Sequence, residues 1–274
     1  MNRRDFVGLC AAAFCLTLPL GTLASCRPTE QQSATQPAPY VSPYDWTQLV
    51  QDDNGRLTYN NNGAVQSRFG VDVSEHQGPI DWQAAAADGV EFALIRLGNR
   101  GATEGQLYLD SCFEANIADA KAAGILTGVY FFSQAINVAE AREEAEFVVD
   151  NLHGRSLDYP VAYDFEFVTG FDGRANKLTG QQISSCAEAF FEVIQVAGYE
   201  TLLYGNKDAL LRLDSSLLDS QDLWYAEYGV AHPTIQHDIV IWQYTNQGSV
   251  AGISTLTDLN IHFLPEGKAA GSTE

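Results

Sequence analysis

The chain has 274 residues, 46% of them hydrophobic, which is enough apolar material for a globular protein with a sizeable core. Its 35 acidic side chains outnumber the 15 basic ones and give a net charge of −20 at pH 7. Such a chain repels polyanions, and no basic cluster offsets the repulsion, so the composition argues against a nucleic-acid partner.

Residues 1–26 have the layout of an export signal. Arg3-Arg4 precedes an apolar stretch from Phe6 to Ala24, and the paired arginines indicate the twin-arginine route. The stretch ends at Leu23-Ala24-Ser25-Cys26, which resembles the lipobox of bacterial lipoproteins, where the cysteine is acylated and becomes the new N-terminus. An uncleaved transmembrane anchor is the alternative, but the small residues before Cys26 favour cleavage. Both interpretations predict an extracytoplasmic, membrane-anchored protein.

Residues 27–68 are predicted to form a tether and a lead-in segment. The first part, 27–45, is rich in Pro, Gln, Ser and Thr and has no apolar period, as in a flexible linker. The second part, 46–68, places Asp53-Asn54-Gly55 and Asn60-Asn61-Asn62-Gly63 between short apolar patches. These turn signals predict a small hairpin-like structure.

From Phe69 onward, strand and helix patterns alternate. Thr179 and Gln182 predict a capping box at the start of one helix, and the β-α order predicts parallel strands with right-handed crossovers. Four later strands have connections too short or too irregular for full helices: 201–204, 223–228, 239–244 and 258–263. The predicted fold is an irregular TIM-like (β/α) barrel over residues 69–266. It has about five βα units followed by strands lacking full helices, and 267–274 form a tail.

Catalytic groups of a barrel cluster at the carboxyl ends of its strands. These positions carry acidic, aromatic and other polar residues, namely Asp72, Arg96, Tyr130, Asp164, Glu166, Tyr204, Glu227, Gln243 and Asp258. Along Tyr163–Phe167, alternation predicts that Asp164 and Glu166 share the inner face while the bulky apolar residues face the helices. Repulsion between the two carboxylates tends to keep one protonated. A protonated carboxyl beside ionised ones is what glycosidic cleavage requires.

Each of these residues also has a structural interpretation. Asp164 and Glu166 could be solvated at a strand end, Asp72 and Asp258 could be turn or cap residues, and Arg96 and Glu227 could pair with neighbours. The aromatic candidates Tyr130, Tyr204 and Trp242 could be core or rim residues. The sequence shows no metal-ligand spacing and no nucleotide-binding motif, so we expect neither metal nor cofactor. Cys112 and Cys186 are predicted to be separate buried thiols.

The motifs resemble glycoside hydrolase family 25, the CH-type lysozymes, over roughly residues 70–264. The resemblance is carried, in order, by Gly70-Val71-Asp72-Val73-Ser74-Glu75-His76-Gln77-Gly78, Ile80-Asp81-Trp82, Gly128-Val129-Tyr130-Phe131-Phe132, Asp164-Phe165-Glu166, Leu223-Trp224-Tyr225-Ala226-Glu227-Tyr228, Trp242-Gln243-Tyr244 and Thr257-Asp258-Leu259-Asn260. It implies an irregular α/β barrel that hydrolyses the β-1,4 bond between N-acetylmuramic acid and N-acetylglucosamine in peptidoglycan.

The resemblance also implies roles for individual residues. Glu166 matches the family's general acid and Asp164 its acidic partner, while Asp72 and Asp258 match acids flanking the cleft and Tyr130 a tyrosine of its wall. We expect the substrate-binding set to be completed by Tyr204, Glu227, Trp242 and Arg96. Phe131 departs from the family, because many members carry His there, and so does Leu97-Gly98-Asn99. We expect net retention of configuration, assisted by the acetamido group of the substrate.

Two further functions are compatible with the sequence. A glycosidase acting on another N-acetylated glycan, such as a chitinase-like enzyme, typically shows a D-x-x-D-x-D-x-E run, which is absent before Asp164. A non-catalytic wall-binding lipoprotein of the same fold would be signalled by loss of the acid, but Glu166 is present. The expected partners are therefore peptidoglycan strands and, through Cys26, the membrane, and the expected state is monomeric.

Overall fold

The computed structural model describes residues 39–265. The predicted export signal with Cys26, the tether as far as residue 38 and the tail from 267 lie outside the described residues. Within the described range, none of the helices combines the length and the apolar character needed to cross a bilayer.

The predicted lead-in is a small antiparallel sheet. A 3-10 turn at Trp46–Gln48 precedes its three strands, which are β1 (Leu49–Gln51), β2 (Leu57–Asn61) and β3 (Ala64–Val65). Asn62 and Gly63 make the β2–β3 turn with φ values of 51° and 80°, which the asparagine- and glycine-rich sequence accommodates. The chain from Tyr40 onward, lead-in included, forms one compact unit.

Nine strands form the main sheet, and eight of them close into a barrel in the order β4-β5-β7-β8-β9-β10-β11-β12, with β12 returning to β4. The short β6 pairs antiparallel with the end of β5 outside this ring. The strands are β4 (Ser67–Val73), β5 (Phe92–Arg100), β6 (Leu107–Leu109), β7 (Leu126–Ser133), β8 (Val161–Phe165), β9 (Thr201–Asn206), β10 (Leu223–Ala226), β11 (Ile241–Gly248) and β12 (Thr257–Phe263).

Helices surround only part of the barrel, which confirms the predicted irregular TIM-like fold. Helices of six to 17 residues follow the first four barrel strands, and two short ones follow β9. Neither β10 nor β11 is followed by a helix in the described structure. The helices are α1 (Trp82–Ala87), α2 (Phe113–Ala122), α3 (Val138–Leu152), α4 (Gly180–Val196), α5 (Lys207–Leu210) and α6 (Ser215–Ser220). The predicted capping box of α4 is present, with Thr179 and Gln182 bonding reciprocally.

The direction of β12 differs from that of the other barrel strands. The ring is parallel from β4 to β11, whereas β12 pairs antiparallel with both neighbours. Asp258 lies opposite Asp72 in this register, and Phe263 lies opposite Ser67. The expectation that Asp258 stands at the carboxyl end of its strand was therefore wrong. Asp258 stands near the start of a reversed strand, which meets the same rim of the barrel.

The core has two layers, one inside the barrel and one between the barrel and its helices. The inner layer is a cluster of buried apolar and aromatic side chains, namely Phe92, Leu94, Tyr159, Ala162, Leu202, Trp224 and Ile241. Tyr163 and Phe165 pack in the outer layer, as the alternation predicted. Within residues 39–265, both cysteines are free thiols. Cys186 is buried as predicted, but Cys112 is partly exposed because it sits at the start of α2.

Candidate active site

Strand β8 brings Asp164 to the mouth of the barrel. Asp164 is 4% exposed, and its Oδ1 atom has no hydrogen-bond partner among the residues that the structure describes. Burial, followed by the charges of Glu166 and Asp72, raises the pKa of Asp164 well above its ordinary value. Asp164 thus presents an acceptor oxygen that the protein leaves free.

Glu166 follows β8 by one residue, and its side chain is partly exposed. Burial and the charge of Asp258 raise the pKa of Glu166 above the ordinary range of a glutamate. A carboxyl group with a raised pKa that is still open to solvent can hold a proton and deliver it to a bound molecule. The charge of Glu166 raises the pKa of Asp164, so the two carboxyl groups lie near each other.

Asp72, at the end of β4, is held by two amide side chains. Its Oδ2 accepts hydrogen bonds from Gln243 Nε2 and Asn260 Nδ2, each at 2.7 Å. The carboxyl group is 6% exposed. Burial and the neighbouring charge of Asp258 raise the pKa of Asp72, while the two amide donors act in the opposite direction.

The two amides are oriented by a second set of donors. Trp224 Nε1 donates to Asn260 Oδ1 at 2.8 Å, which leaves the Asn260 nitrogen for Asp72. The hydroxyls of Tyr204 and Tyr228 donate to Gln243 Oε1 at 3.0 and 2.5 Å. Each amide therefore turns its donor toward the carboxylate.

Three members of this network were absent from the predicted site. Trp224, Tyr228 and Asn260 were quoted only within family motifs. A signal for Asn260 existed, because it lies two residues after Asp258 and so shares its face of β12. Trp224 faces the barrel interior from β10, but its bulk made a core position the simpler interpretation.

Asp258 completes the acidic group. Burial raises its pKa from 3.8 to about 6. It lies opposite Asp72 in the β4–β12 register, and its charge raises the pKa of both Asp72 and Glu166. The four predicted acids therefore lie close enough to affect one another's charge, and burial, with this repulsion added for Asp72, Asp164 and Glu166, raises their pKa values.

Aromatic rings line the same pocket. Tyr130 packs edge-on against Trp224 with ring centroids 5.9 Å apart, and Tyr204 approaches Trp224 to 4.4 Å. Burial, followed by the charge of a nearby carboxylate, raises the pKa of both tyrosines. The phenols therefore stay neutral and form walls of the pocket, and the hydroxyl of Tyr204 also donates to Gln243.

Arg96 lies at the rim but is engaged by other residues. Its Nε donates to Asp110 at 2.7 Å, and its Nη2 to Glu75 at 3.0 Å. The side chain of Arg96 is 11% exposed. Arg96 therefore pairs with neighbouring carboxylates, which is the structural interpretation that the sequence also allowed.

The structure does not bring Glu227 and Trp242 into the pocket. The carboxylate of Glu227 accepts hydrogen bonds from the backbone N–H and the hydroxyl of Thr234, at 2.7 and 2.6 Å. Trp242 is 1% exposed, packs in the outer core layer, and donates to the Glu227 carbonyl at 2.9 Å. Both were predicted to bind substrate, but alternation turns them away from the barrel axis, because their neighbours Ala226 and Gln243 take the inward positions.

Within residues 39–265, no cluster of three or more His, Cys, Asp or Glu side chains is arranged to hold a metal ion. The pocket instead combines carboxyl groups and neutral phenols, and it includes a fully buried carboxylate oxygen, Asp164 Oδ1, that has no partner within this range. A barrel with such a mouth has the architecture of a barrel-type glycoside hydrolase.

Comparison with known proteins identifies the family. Residues 71–253 match the model of glycosyl hydrolases family 25, and the chain belongs to that family. The resemblance drawn from the sequence motifs is thereby confirmed.

Two of the similar proteins are named as lysozymes. The autolytic lysozyme of Clostridium acetobutylicum is 33% identical over 204 residues, which cover 74% of this chain and 58% of that protein. Lysozyme M1 of Streptomyces globisporus is 29% identical over 203 residues, which cover 70% and 66%. This chain therefore spans less than two thirds of the length of either relative.

Solved structures have the same fold. The bacterial lysozyme from Streptomyces coelicolor aligns with a TM-score of 0.62 at 25% identity, over 75% of this chain and 93% of that one. A family 25 glycosyl hydrolase from Bacillus anthracis aligns with a TM-score of 0.63 over 76% and 94%. At 22% identity, the second comparison supports the fold alone.

Proposed function

We propose that this protein is a peptidoglycan hydrolase that cleaves the β-1,4 bond between N-acetylmuramic acid and N-acetylglucosamine. The observation that carries the proposal is the shared pocket of four carboxyl groups, in which one oxygen of Asp164 has no partner within the described chain. Family membership and the similarity to two lysozymes support the same substrate.

In the proposed reaction, Glu166 is the general acid. Its raised pKa keeps the proton available, and its partial exposure lets it reach the glycosidic oxygen. As the C–O bond breaks, Glu166 transfers its proton to the departing sugar oxygen. In the second half of the reaction, the same carboxylate takes a proton from the attacking water, so the enzyme returns to its starting state.

Asp164 acts on the acetamido group of the substrate. Its free Oδ1 is suited to accept the acetamido N–H, which turns the acetamido carbonyl oxygen toward the anomeric carbon. That oxygen then forms a bond to the carbon as the leaving group departs, and water later breaks this bond. Two displacements give net retention of configuration. Asp72 and Asp258 supply negative charge near the oxocarbenium-like centre.

Digestion of purified peptidoglycan tests this proposal. The new reducing ends, identified by mass spectrometry, should be N-acetylmuramic acid. Glu166→Gln should lower kcat at least about 100-fold, because an amide cannot donate the proton, while the folded structure remains. Glu188→Gln, which changes an exposed glutamate on α4, is the matched control and should keep full activity.

Other products would exclude this function. Reducing ends of N-acetylglucosamine would indicate a different bond specificity, and cleavage of chitin oligomers alone would favour a glycosidase acting on another N-acetylated glycan. A folded protein that binds the wall without cleaving it would be a non-catalytic wall-binding lipoprotein. Full activity of Glu166→Gln would mean that another group is the acid.

We also propose that the protein is exported and acylated at Cys26, and that it acts as a monomer outside the cytoplasm. The basic start, the apolar stretch and the small residues before Cys26 support this location, and a wall substrate is reached from there. Metabolic labelling with a radioactive fatty acid should mark the parent protein, and Cys26→Ser should abolish the label. Labelling of Cys26→Ser would contradict acylation at this residue.

A further inference from the structure

A buried glutamine outside the barrel contacts the segment that carries Glu166. Gln134 follows β7 directly and is fully buried. Its Nε2 donates to the backbone carbonyl of Glu166 at 2.9 Å. The β7–β8 ladder ends with the pair Ser133 and Phe165, so Gln134 and Glu166 are the next pair along. The side-chain amide therefore extends the pairing to the first residue beyond the ladder.

The orientation of this amide follows from its partner. Gln134 Oε1 is buried and has no hydrogen-bond partner within the described residues. Turning the amide over would place this oxygen against the carbonyl oxygen of Glu166, and two acceptors would face each other. Among residues 39–265, the contact with Glu166 is thus the interaction that determines how the amide is turned.

The backbone of Gln134 is itself held from α3 and from the loop that follows β8. Its N–H donates to Glu144 Oε1 at 3.3 Å, and its carbonyl accepts from Arg174 Nη1 at 3.1 Å. Arg174 also donates twice to the Glu140 carboxylate, at 2.6 and 2.8 Å. Because Glu140 and Glu144 are one turn apart, both project from the same face of α3.

Glu144 forms a fully buried ion pair. Arg100 Nε donates to Glu144 at 2.8 Å, and the Ser133 hydroxyl donates to it at 2.6 Å. A buried ion pair contributes little to stability once the cost of desolvation is counted, but removing either partner is strongly destabilising. The carboxylate of this pair also accepts from the Gln134 N–H and so anchors Gln134.

We propose that Gln134 is a positioning residue for Glu166, holding its backbone so that the carboxyl group faces the substrate bond. This inference rests on the proposed function, in which Glu166 is the general acid. Gln134 touches no substrate in this scheme and acts through Glu166. The network of Arg100, Glu140, Glu144 and Arg174 keeps Gln134 in place.

The test compares amide variants on soluble glycan strands freed of stem peptides. Gln134→Met keeps the length of the side chain but removes the donor. We expect kcat to fall about 10- to 100-fold with KM within about twofold, because the acid is displaced while the cleft walls remain. The alkaline limb of the kcat profile should move to lower pH, because a less confined carboxyl is better hydrated.

Two further variants complete the experiment. Gln195→Met makes the same change at an exposed amide of α4, which donates to Thr201 at 3.1 Å, and should behave like the parent protein. Gln134→Asn keeps a polar amide but withdraws its nitrogen by one methylene, and should reproduce the loss if Gln134→Met fails to fold. Circular dichroism of each variant measures the folded fraction.

Parent-like kcat and pH profile in a folded Gln134 variant would overturn the inference. So would a loss that matches the unfolded fraction and leaves the pH profile in place, because that is a purely structural effect. Inactivity of the parent protein on the same strands would instead overturn the proposed function, and this inference with it.

Discussion

At the residue scale, the acidic pocket carries a stability cost. Burial raises the pKa values of Asp72, Asp164, Glu166 and Asp258, so the folded protein binds protons that the unfolded chain has already lost. For Asp258, the pKa rises from 3.8 to about 6. The free energy of unfolding should therefore fall as pH rises between about 4 and 6.

Removing the charge of Asp258 should make the protein more stable and less active. A shift of about two pKa units corresponds to at most roughly 3 kcal/mol, so Asp258→Asn should raise the free energy of unfolding at pH 7 by about 1–3 kcal/mol. The variant should also weaken the fall in stability between pH 4 and 6. Urea unfolding at several pH values measures both effects.

A surface aspartate provides the control for this prediction. Asp119→Asn, on the exposed face of α2, should change the unfolding free energy by less than about 0.5 kcal/mol at any of these pH values. If Asp258→Asn were less stable than the parent protein at pH 7, Asp258 would be stabilised in its ionised form, contrary to the burial argument.

At the element scale, glycine makes room for the inner core of the barrel. Gly70 on β4 lies opposite Phe92 on β5, and a Cβ atom at Gly70 would lie 2.3 Å from the Phe92 ring. That ring cannot easily move, because it stacks on Tyr159 with centroids 4.6 Å apart. Tyr159 is held in turn by His262, whose Nδ1 lies 2.7 Å from the hydroxyl. The close approach of the Phe92 ring thus explains why position 70 on β4 is a glycine.

Filling this space should destabilise the barrel. Gly70→Ala should lower the free energy of unfolding by about 1–3 kcal/mol through overpacking. Phe92→Leu should relieve the clash, so the double variant should lose less stability than the sum of the two single variants. Thermal or urea unfolding of the three variants measures this coupling, and strictly additive losses would contradict the steric explanation.

At the scale of the whole molecule, the end of the segment that was predicted to be a flexible tether packs on the outer core layer of the barrel, beside β12. Tyr44 packs on Phe263 with ring centroids 4.4 Å apart and donates to the Ile239 carbonyl at 2.7 Å. Phe263 pairs with Ser67, five residues before Asp72 on β4. At roughly 3.3 Å per residue, this contact lies about 17 Å from the acidic pocket.

Loss of this contact should affect stability and spare catalysis. Tyr44→Ala should cost about 1–3 kcal/mol of unfolding free energy, because it removes a packed ring and a partly buried hydrogen bond. Tyr40→Ala removes a more exposed tyrosine and should cost less than about 1 kcal/mol. Both variants should keep kcat within about twofold of the parent protein on peptidoglycan. A larger kcat effect of Tyr44→Ala would show that the two ends of the barrel are coupled.

Local patterns in the sequence determined much of this protein. The period-two alternation along Tyr163–Phe167 predicted the inward carboxyl pair, and Thr179 with Gln182 predicted the start of α4. The short or irregular connections between the later strands predicted a barrel that lacks some of its helices. These features depend on neighbours within a few residues, so the chain specifies them before it folds.

Pairing between distant strands decided the rest. The reversal of β12 brings Asp258 and Asn260 to Asp72, and no local pattern encodes the direction of a strand. Glu227 and Trp242 lie near strand ends, but they face outward because Ala226 and Gln243 take the inward positions of the closed ring. Gln134 meets Glu166 because β7 and β8 end side by side. Contacts of this kind exist only once the barrel is closed, because the sheet sets the register and the direction of each strand.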